Sequence, residues 1–288
     1  MSTGLTDEVL ASFASTPDKR LRTILERVVV HLHELVREVE PTVAEWETAI
    51  GLLADVGAMC DDTRQEFILL SDVLGVSSLV ETLNGPAVDS GGTESTVLGP
   101  FHMTSSPARA LGDSIDDVGG GRRALVTGRV VDPSGRPVPG AEIDVWQCAE
   151  DGSYDVQQPD VQPAGNGRGL FHADDEGRFR FRTVVPGHYP IPTDGPVGAL
   201  LSTTRRHPYR PAHVHLLVSS PGFGALTTHL FVAGSPYLEQ DAVFAVKSDL
   251  VVEFGNVDED AEGLDRPYRH ADVEVVLVPA SSAAVDVG

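Results

Sequence analysis

Cysteine is nearly absent from this chain, with Cys60 and Cys148 the only two in 288 residues. Two isolated thiols argue against a disulfide framework or a cysteine metal site and read as small apolar side chains, in a cytoplasmic setting. Basic residues are also scarce. Lys and Arg number 21 against 43 Asp and Glu, a formal net charge of −22, and without a basic patch neither nucleic acid nor an anionic membrane surface is an expected partner. No stretch approaches the roughly 18 apolar residues that cross a bilayer, so no membrane span is expected. The opening MSTGLTDEVLASFAS lacks a charged segment followed by an apolar one, so no secretory leader is expected there either. Tyrosine is sparse, at five residues, which makes the setting of each one informative.

What is present suits a folded globular protein, since 41% hydrophobic and 22% charged residues indicate neither disorder nor a fibrous repeat. The length suits one large domain or two modest ones, and two are expected. In the first eighty or so residues, apolar positions recur at three and four, as in Leu21, Ile24, Leu25, Val28, Leu32 and Leu35, the face of an amphipathic helix. Helix starts are expected at Thr16-Pro17, and at Thr42-x-x-Glu45 and Thr63-x-x-Glu66, which have capping-box spacing. A break is expected near Asn84-Gly85-Pro86.

Beyond two Gly-rich stretches the apolar period changes to two. Strands are predicted at 124–131, 141–147, 178–184, 213–218, 226–232, 250–254 and 273–278. Short strands without intervening helices suggest an antiparallel sandwich. The segment from Asp151 to Glu176, rich in Gly, Pro, Asp and Gln, reads as a long functional loop carrying Tyr154, and Ser281 to Gly288 as a loose tail.

In RPAHVHLLV, His213 and His215 stand two apart on a predicted strand, so both imidazoles project from one face. That pattern suits one metal ion, but also packing or a solvent-facing pair. Tyr154 in GSYD and Tyr189 in HYPIP lie at loop or strand ends. Taken singly, the first reads as an exposed loop aromatic and the second as a core residue with a satisfied hydroxyl.

The combination says more. ESTVLGPFH, GSYD, FRFRTVVPGHYPIPTDGPVG and RRHPYRPAHVH, in that order, resemble the intradiol ring-cleavage dioxygenase family and match its ordered Tyr, Tyr, His-x-His pattern over nearly the whole chain. The resemblance implies a mainly β protein, with an antiparallel β-sandwich catalytic domain at 96–288 after an α-helical domain at 1–95. The helical part would form a homodimer, with lipid at the helical interface as a family expectation. It implies one non-haem Fe(III) per subunit held by Tyr154, Tyr189, His213 and His215, and cleavage by O2 of an aromatic diol or triol between its hydroxylated carbons. Tyr189 matches the axial tyrosine that substrate displaces and that takes a substrate proton. Arg210 matches an arginine that stabilises negative charge on the ring. By the same resemblance the pocket is lined by Leu69 and Asp72, by Val97, Leu98, Gly99, Pro100 and Phe101, and by Ile191, Pro192, Arg210, His229 and Val243. A phenolate is a hard anionic donor that favours a hard trivalent ion. Keeping a free tyrosine ionised at neutral pH would cost roughly 4 kcal/mol, a penalty that coordination to a cation removes.

Position 229 is glutamine in many catechol-cleaving members and His229 here, as in the family's hydroxyquinol branch. The implied substrate is therefore hydroxyquinol (1,2,4-trihydroxybenzene), opened to 3-hydroxy-cis,cis-muconate, the enol form of maleylacetate, with catechol or chlorocatechol as the alternative. Asp72, within the apolar run FILLSDVLG, either faces solvent or enters the pocket to bond a third hydroxyl. Two rival readings differ in class. VTGRVVDPSGRPVPGAEIDVWQ also resembles the opening hairpin of prealbumin-like binding modules, and an H-x-H pair also suits a cupin, which would normally recruit a carboxylate.

Overall fold

The structure, a computed structural model, describes residues 3–61, 64–85, 90–103, 105–257 and 267–280. Five helices come first: α1 (Thr3–Ser12), α2 (Lys19–Val39), α3 (Val43–Ala58), α4 (Glu66–Val73) and α5 (Val76–Asn84). The second helix begins two residues later than Thr16-Pro17 implied. Asp18 is its N-cap, and its carboxylate accepts from the backbone N–H groups of Arg20 and Leu21, because an aspartate satisfies the orphan donors of a first turn directly. The capping box at Thr42 forms as expected, with Thr42 N–H donating to Glu45 at 2.7 Å and Glu45 N–H to Thr42 Oγ1 at 3.3 Å. Thr63, Pro86 and the tail from Ser281 lie outside the described residues.

The apolar face of α2 stays in the open: Leu21, Ile24, Val28, Leu32 and Leu35 are each 44–54% exposed. By compactness the chain divides into two units, Met1–Asp55 and Val56–Gly288. The short helices α4 and α5 thus belong with the sheets. Glu66, at the start of α4, accepts from Val197 N–H at 3.2 Å, and Arg206 donates to Val73 O at 2.7 Å.

The second unit carries two main sheets. One is built from β10 (Gly255–Val257), β11 (Tyr268–Val276), β1 (Arg123–Val131) and β4 (Arg178–Val184), in that order. The other runs β3 (Arg168–His172), β2 (Glu142–Gln147), β7 (His213–Ser219), β8 (Leu226–Val232) and β9 (Val251–Val252). A small ladder joins β5 (Tyr189–Pro190) to β6 (Tyr209–Arg210). One apolar core draws on both main sheets, with Val126, Val130, Phe179, Phe181 and Val275 from the first and Ile143, Val145, Val214, Leu216 and Leu230 from the second.

The sheets are mixed, which corrects the antiparallel expectation. Strand β11 lies parallel to β1, and β9 parallel to β8. Alternation with period two reveals a strand but not its direction, and parallel neighbours need a long connection, which most of the second unit supplies between β1 and β11. Helix α6 (Pro196–Thr203) interrupts the strands as well; its proline at the first turn and small apolar content make it too short for a clear helical period. Inside the expected loop at 151–176 lies β3. Its Gly169 hid the strand pattern, yet a Cβ there would stand 2.7 Å from the Phe171 ring and 2.8 Å from Ile115. The expected strand at 250–254 shrinks to Val251 and Val252, after a turn of 3₁₀ helix at Ser248–Leu250.

Candidate metal centre

The site grows from one row of side chains across the five-stranded sheet. On β7, Val214, Leu216 and Val218 point into the core, so His213 and His215 share the opposite face. Ladder register then sets their neighbours. Trp146 on β2 and His229 on β8 both pair with His215. The indole stacks on the His215 ring at 4.6 Å and 10°, and the His215 and His229 rings are 4.2 Å apart. On the free side of His215 runs Gly99, with φ +78°; a Cβ there would stand 3.0 Å from the imidazole. The backbone passes this close only because position 99 has no side chain.

Two tyrosines close over the row. Tyr154 precedes a 3₁₀ turn, Asp155–Gln157, and its N–H donates to Gln157 Oε1 at 2.9 Å. Tyr189 sits on β5 directly opposite Arg210 on β6. Their rings meet edge to face at 5.5 Å, and Phe101 stacks on Tyr154 at 4.4 Å. Tyr189 Oη stands 3.5 Å from His213 Nε2, which is 3.1 Å from His215 Nε2. Tyr154, Tyr189, His213 and His215 are each at most 2% exposed.

The donor set fits a metal ion. Nδ1–H of His213 donates to Pro211 O at 2.7 Å, which leaves its Nε2 lone pair facing the centre. Burial first, then the charge of Arg210, holds His213 well below its usual pKa; burial and the neighbouring imidazoles do the same for His215 and His229. All three are therefore neutral and able to ligate. The Nε2 atoms of His213 and His215, 3.1 Å apart, are close enough for one ion about 2.1 Å from each to take both. Among the described residues, Tyr154 Oη and His229 Nε2 are buried with no hydrogen-bond partner. The ligand atoms of His213, His215 and His229 lie within 4.8 Å of one another. Burial, followed by the other phenol, pushes Tyr154 well above its usual pKa, and burial raises Tyr189 against the opposing pull of Arg210. An ionised pair of phenols in this dry place needs a cation larger in charge than Arg210 alone supplies.

Arg210 is 2% exposed, which excludes a surface role. Burial opposes its charge, but Asp241 and the two tyrosines outweigh that effect and hold it ionised. Asp241 takes Nε at 3.2 Å and Nη2 at 3.4 Å, and also accepts from the N–H groups of Val243 and Ala245. The free Nη1 reaches Tyr189 Oη at 3.5 Å and His213 Nε2 at 3.3 Å. Asp72, 5% exposed on α4, belongs to the same neighbourhood: burial raises its carboxyl pKa, a hydrogen bond from Ser77 and then the charge of Arg210 act against the rise, and Asp241 adds to it.

Other expected pocket residues fall into two groups. Leu69, Val97, Ile191 and Val243 are buried, and Phe101 and Pro192 are half-buried. Leu98 and Pro100 are exposed. Sequence reading missed Trp146, Thr96, Asp241 and the ion pair of Asp155 and Arg168. Thr96 hydrogen-bonds His229 Nδ1 through its hydroxyl. Only the tryptophan carried a signal, as one of two in the chain.

Residues 99–275 match the family model described as Dioxygenase, and residues 18–92 the one described as Catechol dioxygenase N terminus. The chain belongs to the intradiol ring-cleavage dioxygenase family. It is 50% identical over 256 residues to a hydroxyquinol 1,2-dioxygenase from Rhizobium sp., covering 89% of this chain and 86% of that one. A catechol 1,2-dioxygenase from Candida albicans is 37% identical, covering 98% and 94%. The crystal structure of a hydroxyquinol 1,2-dioxygenase from Pseudomonas putida superposes with a TM-score of 0.89 at 47% identity, covering 96% of this chain and 98% of that one. Membership removes the readings as a binding module or a cupin.

The Arg210 and Asp241 pair gives a direct test of the geometry. Asp241→Ala strands a buried guanidinium, and a loss of about 3–5 kcal/mol is expected, measured as the fall in unfolding free energy in urea. Unchanged stability would mean that the pair is solvated.

Proposed function

We propose that this chain binds one Fe(III) through Tyr154, Tyr189, His213 and His215 and uses O2 to open hydroxyquinol to 3-hydroxy-cis,cis-muconate. The observation that carries the reading is the convergence of two buried phenols and two neutral imidazoles on one point of a sheet face. Bound ferric ion supplies the Lewis acidity that keeps phenols ionised and makes an electron-rich aromatic diolate reactive toward O2. The surrounding residues do the rest. Tyr189 Oη, next to Arg210, takes a substrate proton when substrate binds. The Arg210 guanidinium, held by Asp241, faces negative charge that develops on the ring and needs no reorganisation to meet it. Phe101, Ile191, Pro192 and Val243 keep water from the ring, and His229 completes the wall behind the histidine pair. The scaffold is a β-sandwich of the two mixed sheets, and the two free thiols, one of them buried, suit a cytoplasmic setting. No described helix is long and apolar enough to cross a membrane.

Tyrosinate bound to Fe(III) absorbs visible light, so the iron-loaded protein is expected to be red to burgundy. Tyr154→Phe should bleach most of that absorption and lower iron content. Full colour and activity in the variant would refute the ligand assignment.

Substrate choice rests on Asp72 and His229. A buried carboxylate that accepts a bond from a third hydroxyl keeps only its Ser77 hydrogen bond when catechol binds, and sites built around a hydroxyl can reject the analogue lacking it by about 10⁴-fold. We expect kcat/KM for hydroxyquinol to exceed that for catechol, and the ratio to shrink at least about tenfold in Asp72→Ala. Equal constants in wild type would end the hydroxyquinol assignment; an unchanged ratio in the variant would remove Asp72 alone from the explanation.

A homodimer completes the proposal, with the open apolar row of α2 from Leu21 to Leu35 as the buried interface and a lipid tail as a further occupant. A contiguous exposed apolar row of this kind is a common mark of an interaction surface. Light scattering at micromolar concentration should give twice the chain mass of 30.6 kDa, and a monomer with its iron in place would contradict it.

A further inference from the structure

We propose that Arg168 is the positioning residue for Tyr154, fixing where its phenolic oxygen stands relative to the two histidines; this rests on the ligand assignment above. His213 and His215 take their places from a strand bonded on both sides, whereas Tyr154 comes from the connection between β2 and β3. A loop ligand needs an anchor tied to the same frame as the strand ligands. Arg168 supplies one. It is 1% exposed and lies on β3 opposite Trp146, whose indole stacks on His215.

Its guanidinium grips the tyrosine from two directions. Nη2 donates to Asp155 Oδ1 at 2.7 Å, and Nε donates to Oδ1 and Oδ2 at 3.0 and 3.1 Å. Asp155 is the residue directly after Tyr154, and its Oδ2 also accepts from Gly165 N–H at 2.9 Å. Nη1 donates to Phe101 O at 2.7 Å, and the Phe101 ring is the one stacked on Tyr154. Backbone and ring of the tyrosine are thus both referenced to one planar group on the sheet.

Stability alone does not account for this arrangement. A buried ion pair costs two desolvations, and an apolar pair of similar volume is often as stable or more so. An apolar pair lacks a fork that joins a carboxylate to a carbonyl at a fixed angle. The pair is also electrically neutral, so it orients the phenol without changing the net charge around the ion. Arg210 uses its fork on Asp241 to present a free N–H inward; Arg168 spends all its directions on anchoring.

The experiment compares iron-loaded wild type with Arg168→Lys and with the double variant Asp155→Asn, Arg168→Gln. Lysine preserves the charge but is a single point donor that does not serve Asp155 and Phe101 O together. The double variant leaves no buried charge unpaired, so it decides the matter if Arg168→Lys does not fold. Readouts are the position and intensity of the visible absorption band and the iron retained against a competing chelator. Both variants are expected to shift and weaken the band and to hold iron about 10- to 100-fold less tightly, the usual effect of losing a group that orients a ligand. A wild-type band and wild-type retention in either folded variant would overturn the positioning role, and full rescue by lysine would mean that only charge matters. Absence of the band from iron-loaded wild type would overturn the ligand assignment and this inference with it.

Discussion

Water is excluded from a place where two phenols, three imidazoles and a guanidinium meet, and the surrounding structure answers to that exclusion. In water each of these groups would be solvated separately and would behave ordinarily. Dry, the imidazoles stay neutral and the phenols resist ionisation. A multivalent cation reverses the second effect and exploits the first, since neutral imidazoles and anionic phenolates are both good ligands. The same packing that makes the site costly to leave without a cation makes it avid when one is present.

Charge is managed residue by residue. Among the described residues, each of the two fully buried arginines faces an aspartate: Arg210 with Asp241, and Arg168 with Asp155. Neither pair adds net charge, so under the proposed ligand assignment the charge of a bound ferric ion would be balanced by the two tyrosines and not by the arginines. Asp72 stands apart as a carboxylate raised by burial and lacking an arginine of its own, since Arg210 is already engaged by Asp241. That asymmetry is the basis of the proposed preference for a substrate with a third hydroxyl.

Much of this was legible in the sequence because strand alternation places His213 and His215 on one face whatever their surroundings. Tyr154 and Tyr189 were legible only as parts of an ordered motif; alone, each read as an ordinary aromatic. Strand direction was not legible, as β11 beside β1 shows, because alternation is the same in either sense. Nor was the cross-strand register that sets Trp146 and His229 on either side of His215. Asp241, thirty-one positions beyond Arg210, follows no spacing rule, and Gly169 disguised β3 as loop. Contacts made across long sequence separations leave no local trace, and these are the contacts that orient the candidate ligands.

The parallel stack of Trp146 on His215 has an optical consequence. The chain has two tryptophans, and they occupy opposite environments: Trp46 is 56% exposed on α3 in the first unit, whereas Trp146 is fully buried in the second, face to face with an imidazole. Red-shifted emission therefore comes from the helical unit, and the blue-shifted component from a ring that touches a candidate ligand. A single fluorescence spectrum, excited where the indoles alone absorb, carries a separate signal for each half of the molecule.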